Sequence, residues 1–89
     1  MQRVTVYYSG HVQGVGFRYT THQIARDFDV TGYVRNLPDR RVELVAEGEP
    51  QELTSFLAAV RDHFSGQIRD EQTDKSTASG EFSRFEVRH

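Results

Sequence analysis

The sequence predicts an α+β fold, in which strands and helices alternate along one small domain. Apolar residues recur at every second position in some segments and at helical spacing in others, and these two periods distinguish strands from amphipathic helices. A chain of 89 residues forms one hydrophobic core at most, so we expect a single domain over residues 1–89. An active site must then be built from the fold itself.

The first half of the chain predicts a strand, a helix and two further strands. Apolar and polar residues alternate over residues 4–8, and apolar residues then repeat with helical spacing over residues 17–28. Alternation returns over residues 30–35 and 42–47, which indicates two more strands. Between them, residues 36–40 contain a proline and are typical of a hairpin turn.

The second half predicts a helix and a final strand. Pro50 stands where the first turn of a helix accepts proline, and apolar residues repeat at helical spacing as far as Phe64. Residues 67–75 show part of a strand pattern around Ile68, whereas only Ala78 is apolar between residues 73 and 81, which predicts an exposed loop. Residues 82–87 then predict the last strand.

This order predicts a ferredoxin-like βαββαβ sandwich, an antiparallel sheet with two helices on one face. The first and second strands are parallel, because a right-handed helical crossover joins them, and the third strand lies antiparallel between them. Their carboxyl ends therefore meet at one edge of the sheet. We expect Arg18, just after the first strand, to meet Asn36, at the end of the second, beside the hairpin turn.

The segment Gly10-His11-Val12-Gln13-Gly14-Val15-Gly16-Phe17-Arg18 connects the first strand to the first helix. Glycines allow backbone N–H groups to turn towards an anion, and a helix N-terminus binds anions. Arg18 is a cation in the first helical turn, which opposes the helix dipole by about 0.3–1 kcal/mol. We therefore expect an anion between this loop and the guanidinium group.

The available side chains restrict the chemistry of this anion. The planar donor fork of Arg18 matches two phosphoryl oxygens, and the Asn36 amide can hold a water molecule in line with phosphorus. The loop contains no Asp, Glu or Lys that could act as a general acid, and we expect His11 to face solvent. An acyl phosphate needs no such acid, because its leaving group is already a stable carboxylate. The residues thus favour metal-independent cleavage of carboxylic–phosphoric anhydrides.

Composition excludes several other classes. Because the net charge is −2, we expect no nucleic-acid partner. The charge is unevenly distributed, since residues 1–26 contain three arginines and no carboxylate. The chain has no cysteine, and its four histidines lack metal-ligand spacing, so we expect no metal and no cofactor. No segment has the apolar run of a signal peptide or membrane span. We expect a cytoplasmic monomer with no membrane partner.

Two segments closely resemble the signatures of the small acylphosphatases: the one from Gly10 to Arg18, and Gly32-Tyr33-Val34-Arg35-Asn36 through Val42 to Gly48. The resemblance covers nearly the whole chain, including its ending Phe85-Glu86-Val87-Arg88-His89. It implies a small-molecule acyl phosphate substrate, with inorganic phosphate as product and inhibitor, and no metal. It also implies that Arg18 is the catalytic phosphate-binding residue and that Asn36 orients the attacking water. The implied phosphate cradle is the backbone of Gln13, Gly14, Val15, Gly16, Phe17 and Arg18.

The chain departs from the family pattern at Arg40, where a glycine is usual. If this position has a positive φ, arginine costs on the order of 1 kcal/mol relative to glycine. Arg40 and Arg41 also add positive charge near the predicted site, which favours anionic substrates.

Two alternatives to an enzyme remain open. One is a non-catalytic phosphate-binding regulatory module on the same fold. The other is an interaction domain like the acylphosphatase-like segment of larger carbamoyl-transferring maturation proteins. The presence of both Arg18 and Asn36 favours the enzyme over the regulatory module, and the chain length favours it over the interaction domain.

Overall fold

The chain contains five strands and two helices, one strand more than the order predicted from the sequence. The computed structural model describes residues 1–89. The elements are β1 (Gln2–Gly10), α1 (Phe17–Ala25), β2 (Val30–Asn36), β3 (Val42–Gly48), α2 (Pro50–His63), β4 (Ile68–Thr77) and β5 (Phe85–Arg88).

The strands form one sheet in the order β4-β1-β3-β2-β5. β3 pairs antiparallel with both β1 and β2, so β1 and β2 are parallel and end at the same edge of the sheet. The buried side chains of both helices join one core with the inward side chains of the strands. The predicted fold class, a ferredoxin-like α+β sandwich, is therefore confirmed. Neither helix is long and apolar enough to cross a membrane.

The sheet is mixed rather than purely antiparallel, because β5 pairs parallel with β2. β4 is the outermost strand on one side of the sheet, and it ends where Thr77 lies opposite Gln2 on β1. The following segment reaches the other edge across the helix-free face, where the N–H groups of Ser79 and Gly80 donate hydrogen bonds to Glu47 on β3. The predicted antiparallel pattern thus holds for β1 to β4, and this crossing sets the direction of β5.

Three predicted boundaries are wrong. α1 ends at Ala25 rather than at Phe28, which lies in the turn that follows. The loop predicted over residues 73–81 begins only after Thr77, because backbone pairing with β1 continues β4 to that residue although residues 73–77 have no apolar side chain. The last strand begins at Phe85 rather than at Phe82, whose ring packs against Tyr33 outside the strand.

The hydrophobic core positions the start of α1. Phe17, the first residue of the helix, lies between two other buried aromatic rings. Its ring centroid is 5.0 Å from that of Tyr8 and 4.3 Å from that of Phe64. Burial of one such side chain stabilises the fold by about 1.5–3 kcal/mol. Because Phe17 is fixed in the core, Arg18 leaves the helix at a defined place on the sheet edge.

The helix-free face of the sheet is closed by polar side chains. β3 is buried along its whole length, including the side that faces away from the helices. There Glu43 accepts hydrogen bonds from the Tyr33 hydroxyl at 3.0 Å and from Arg35 Nε at 2.7 Å. Burial, together with the hydrogen bond to Glu43, raises the pKa of Tyr33. Alternation alone predicts exposure for this side of a sheet, so the network arises from tertiary contacts.

Glu47 holds the crossing segment against β3. Its carboxylate accepts hydrogen bonds from the backbone N–H groups of Ser79 at 2.8 Å and Gly80 at 2.9 Å, from Ser79 Oγ at 2.9 Å and from Arg3 Nε at 2.7 Å. Burial raises the pKa of Glu47, but these donors outweigh burial and lower it from 4.5 to about 2. The folded state therefore favours the ionised carboxylate.

We expect acid to destabilise the fold through Glu47. Its contribution, about 3 kcal/mol for a shift of this size, is fully present above pH 4.5 and is lost as the pH falls towards 2. Glu47→Gln removes the charge at every pH. The free energy of unfolding of this variant, measured by urea denaturation, should therefore fall less steeply than that of the parent between about pH 5 and pH 2.

The matched control is Glu86→Gln, since Glu86 lies 3.7 Å from Arg88 and is 43% exposed. This variant should keep the pH dependence of the parent. An unchanged slope in Glu47→Gln would contradict the role assigned to this carboxylate.

Candidate active site

A cavity of about 470 Å³ lies at the edge of the sheet where β1 and β2 end. Its lining includes Gly14, Gly16 and the start of α1 on one side and Asn36 on the other. Val87 and His89 complete the wall, because β5 lies beside β2. The sequence-predicted residues Arg18 and Asn36 therefore line one common cavity.

The backbone of the loop is left-handed at two glycines. Gly14 has a φ of 82° and Gly16 a φ of 76°. A Cβ atom added to either would meet no atom within 4 Å, so backbone conformation rather than space favours glycine here. Gly16 is the N-cap of α1, and no side chain caps the helix or places a carboxylate in its first turn. The first N–H groups of α1 are thus free to bind an anion.

Arg18 is held at the cavity by β5 and not by a carboxylate. Its Nη1 donates to the backbone oxygen of Arg88 at 3.1 Å and lies 3.3 Å from His89 Nδ1. No acidic side chain forms an ion pair with Arg18, so its charge is available to a ligand. The contact with Arg88 has no signal in the sequence pattern, because it depends on the parallel pairing of β5 with β2.

Asn36 lies opposite Val42 at the end of β2. Its side chain is partly exposed, and no protein group forms a hydrogen bond with it. Both the carbonyl oxygen and the NH₂ group of its amide are therefore available, one as an acceptor and one as a donor.

The six residues of the sequence-predicted cradle are not all in the same environment. Gly14, Gly16, Phe17 and Arg18 line the cavity. Val15 is 40% exposed, and Gln13 does not line this cavity.

The Gln13 side chain connects the loop to the β2–β3 hairpin. Its Nε2 donates to the backbone oxygens of Leu37 and Arg41, both at 2.9 Å. Leu37 directly follows Asn36, so these bonds fix the loop relative to the end of β2. The sequence indicated only a backbone role for Gln13, because backbone acceptors in a distant segment leave no pattern in the sequence.

The hairpin places Arg40 in a strained conformation. The N–H of Leu37 donates to Arg41 O at 2.8 Å, and the N–H of Arg40 donates to Leu37 O at 3.2 Å. Arg40 has a φ of 75°, the left-handed conformation in which a three-residue hairpin loop commonly ends. The backbone at Arg40 therefore has the positive φ at which arginine costs about 1 kcal/mol relative to glycine.

Arg41 does not supply free positive charge, contrary to the expectation from the sequence. Its Nε lies 2.7 Å from Asp39 Oδ2, and its guanidinium group lies 4.7 Å from the ring centroid of Tyr7. The hydrogen bond from the Arg41 N–H and the contact with its side chain lower the pKa of Asp39. The charge of Arg41 is thus paired within the hairpin.

Several known proteins that are similar to this chain in sequence or in structure are described as acylphosphatases. The family model described as acylphosphatase matches residues 4–87. An acylphosphatase from Methanospirillum hungatei is 42% identical over 90 residues, which cover 99% of this chain and 98% of that protein. The crystal structure of acylphosphatase from Bacillus subtilis has a TM-score of 0.91 and 35% identity, with 100% of each chain covered.

The fold also occurs within a larger protein. The structure of T. kodakarensis HypF matches with a TM-score of 0.84 and 26% identity. That match covers 100% of this chain and 12% of HypF.

We expect Gln13→Ala to loosen the site. Loss of two hydrogen bonds to backbone carbonyls lowers the free energy of unfolding by about 1–2 kcal/mol. Inorganic phosphate should then raise the melting temperature of the variant less than that of the parent, because the loop and Asn36 are no longer held together. Thermal denaturation with and without phosphate measures both effects.

Gln51→Ala, at an exposed position of α2, is the control and should behave like the parent. Equal stabilisation of Gln13→Ala and the parent by phosphate would exclude a positioning role for this side chain.

Proposed function

The chain belongs to the acylphosphatase family, enzymes that hydrolyse acyl phosphates, and we propose that hydrolysis takes place in the cavity lined by Arg18 and Asn36. The observation that carries this proposal is the presence of an unpaired guanidinium group, an uncapped helix N-terminus and a free amide around one cavity. This combination suits a bound phosphoryl dianion and a water molecule.

Arg18 and the loop from Gln13 to Arg18 bind the phosphoryl group. The guanidinium group donates to two phosphoryl oxygens, and backbone N–H groups of the loop donate to the others. These donors are in place before the reaction, so they stabilise the charge that develops on the phosphoryl oxygens in the transition state. The hydrogen bond to Arg88 supports this role by holding the Arg18 side chain at the cavity.

Asn36 orients the attacking water. Its carbonyl oxygen accepts a hydrogen bond from the water, while its NH₂ group donates to a phosphoryl oxygen. The water oxygen forms a bond to phosphorus as the bond from phosphorus to the acyl oxygen breaks. The electron pair leaves with the carboxylate, and the water protons remain with phosphate or pass to solvent.

The reaction needs neither a metal nor a general acid. A carboxylate is a stable leaving group near neutral pH, since carboxylic acids have pKa values of about 4. Arg18 supplies the positive charge that a metal ion gives to many phosphoryl-transfer enzymes.

Hydrolysis of benzoyl phosphate in the presence of EDTA tests this proposal. We expect EDTA to leave turnover by the parent unchanged. Arg18→Ala should raise KM about 10- to 100-fold and also lower kcat, because charge-assisted hydrogen bonds to the phosphoryl group are lost in both the bound substrate and the transition state. Asn36→Ala should lower kcat about 100-fold with a smaller effect on KM, since the water is no longer oriented.

Arg26→Ala provides the control for the loss of one positive charge, because Arg26 lies at the far end of α1 and bonds only to Gln23 among side chains. Equal rates for the parent, Arg18→Ala and Asn36→Ala would refute the assignment. Binding of phosphate by a parent that shows no turnover would instead favour the regulatory module.

Inorganic phosphate should also stabilise the fold. A ligand that binds only the folded state at 100 times its dissociation constant adds about 2.7 kcal/mol to the free energy of unfolding. We expect phosphate to raise the melting temperature of the parent and of Asn36→Ala, but not that of Arg18→Ala. Sodium chloride at matched ionic strength separates general salt effects from the response of the site. No shift in the parent would contradict a phosphate site in the native protein.

A further inference from the structure

A second cavity, of about 310 Å³, lies beside the loop that connects β1 to α1. It is lined by Gly10, His11, Gln13 and Arg40. The neighbouring loop residues Val12, Gly14 and Gly16 line the first cavity, so the loop forms a common wall between the two. The lining of the second cavity contains a guanidinium group and an imidazole, but no carboxylate and no apolar side chain.

Arg40 has no partner in the protein. It is exposed, and its side chain forms neither a hydrogen bond nor an ion pair. By contrast, Arg41 pairs with Asp39 at 2.7 Å, and Arg35 pairs with Glu43 at 2.7 Å. An arginine that faces an acid-free cavity keeps its full charge for a ligand.

The backbone at Arg40 supports the same conclusion. Its φ of 75° favours glycine, so the fold alone gives no reason for an arginine there. Non-glycine residues in this strained conformation cluster at ligand sites, where ligand binding by the side chain offsets the cost of the strain. The hydrogen bonds of Gln13 to Leu37 O and Arg41 O hold Arg40 next to the loop.

We propose that the second cavity binds a carboxylate carried by the acyl group of the substrate, with Arg40 as the residue that selects it. This inference rests on the proposed function, because the phosphoryl group must occupy the first cavity. The acyl group then extends over the loop, and its distal carboxylate accepts hydrogen bonds from Arg40. The favoured substrates are therefore acyl phosphates of dicarboxylic acids.

The test compares the kcat/KM values of matched aromatic substrates. Benzoyl phosphates with a carboxylate at the 3- or 4-position carry the charge at two distances from phosphorus. The corresponding carbamoyl compounds have nearly the same shape and no charge. We expect the parent to prefer a carboxylate over its carbamoyl counterpart about 3- to 10-fold, as an exposed ion pair allows. Sodium chloride at about 0.5 M screens exposed charges strongly, so it should reduce this preference.

Arg40→Gly removes the charge at a position where glycine fits the backbone, so this variant should fold and denature at a higher urea concentration than the parent. We expect its carboxylate preference to disappear, because its kcat/KM should fall more for the carboxylate substrates than for unsubstituted benzoyl phosphate. Arg40→Lys should keep part of the preference, because a point charge remains. Arg26→Ala, which removes a distant charge, should keep all of it.

Two results overturn the inference. One is a carboxylate preference that Arg40→Gly retains. The other is equal kcat/KM for the carboxylate and carbamoyl substrates of the parent while benzoyl phosphate is hydrolysed normally. Both leave the proposed function intact. Failure of the parent to hydrolyse benzoyl phosphate would instead refute the proposed function, and this inference with it.

Discussion

The pairing of β3 between β1 and β2 determines where the loop after β1 lies relative to Asn36. Gly48 is level with Gln2 and with Val30, and Val42 is level with Tyr8 and with Asn36. The loop after β1 and the β2–β3 hairpin therefore leave the sheet at the same height. A shift of one residue in either pairing would turn the inward side chains to the other face and expose the core. The hydrophobic core thus enforces the register that the site requires.

Paired and unpaired charges are separated in this structure. On the helix-free face, Glu43 and Glu47 are buried and bound by arginines and backbone N–H groups, so they hold strands and the crossing segment in place. At the edge of the sheet, Arg18 and Arg40 have no carboxylate partner. Buried charges need partners, because an unpaired ion loses its hydration. Unpaired cations at an exposed edge remain available to an anionic ligand.

The loop and the hairpin form one unit although they are distant in sequence. Gln13 bonds to Leu37 O and Arg41 O, on both sides of the turn that contains Arg40. The side-chain amide of Gln13 thus connects the loop that lines both cavities to the hairpin that carries Arg40. The strain at Arg40 lowers the free energy of unfolding by about 1 kcal/mol, which burial of the core can offset. The proposed contact of Arg40 with a substrate carboxylate gives a reason for this cost.

The sequence by itself determined the order of most elements, the parallel arrangement of β1 and β2 and the family. These features follow from local periodicity and from one contiguous motif ending at Arg18. It also indicated that Arg18 and Asn36 meet, because topology brings strand ends together without reference to side chains. Only the tertiary structure decided that β4 continues through residues 73–77, that β5 runs parallel to β2 and that Gln13 joins the loop to the hairpin. Each of these depends on backbone groups far apart in the chain, and backbone groups are the same in every sequence.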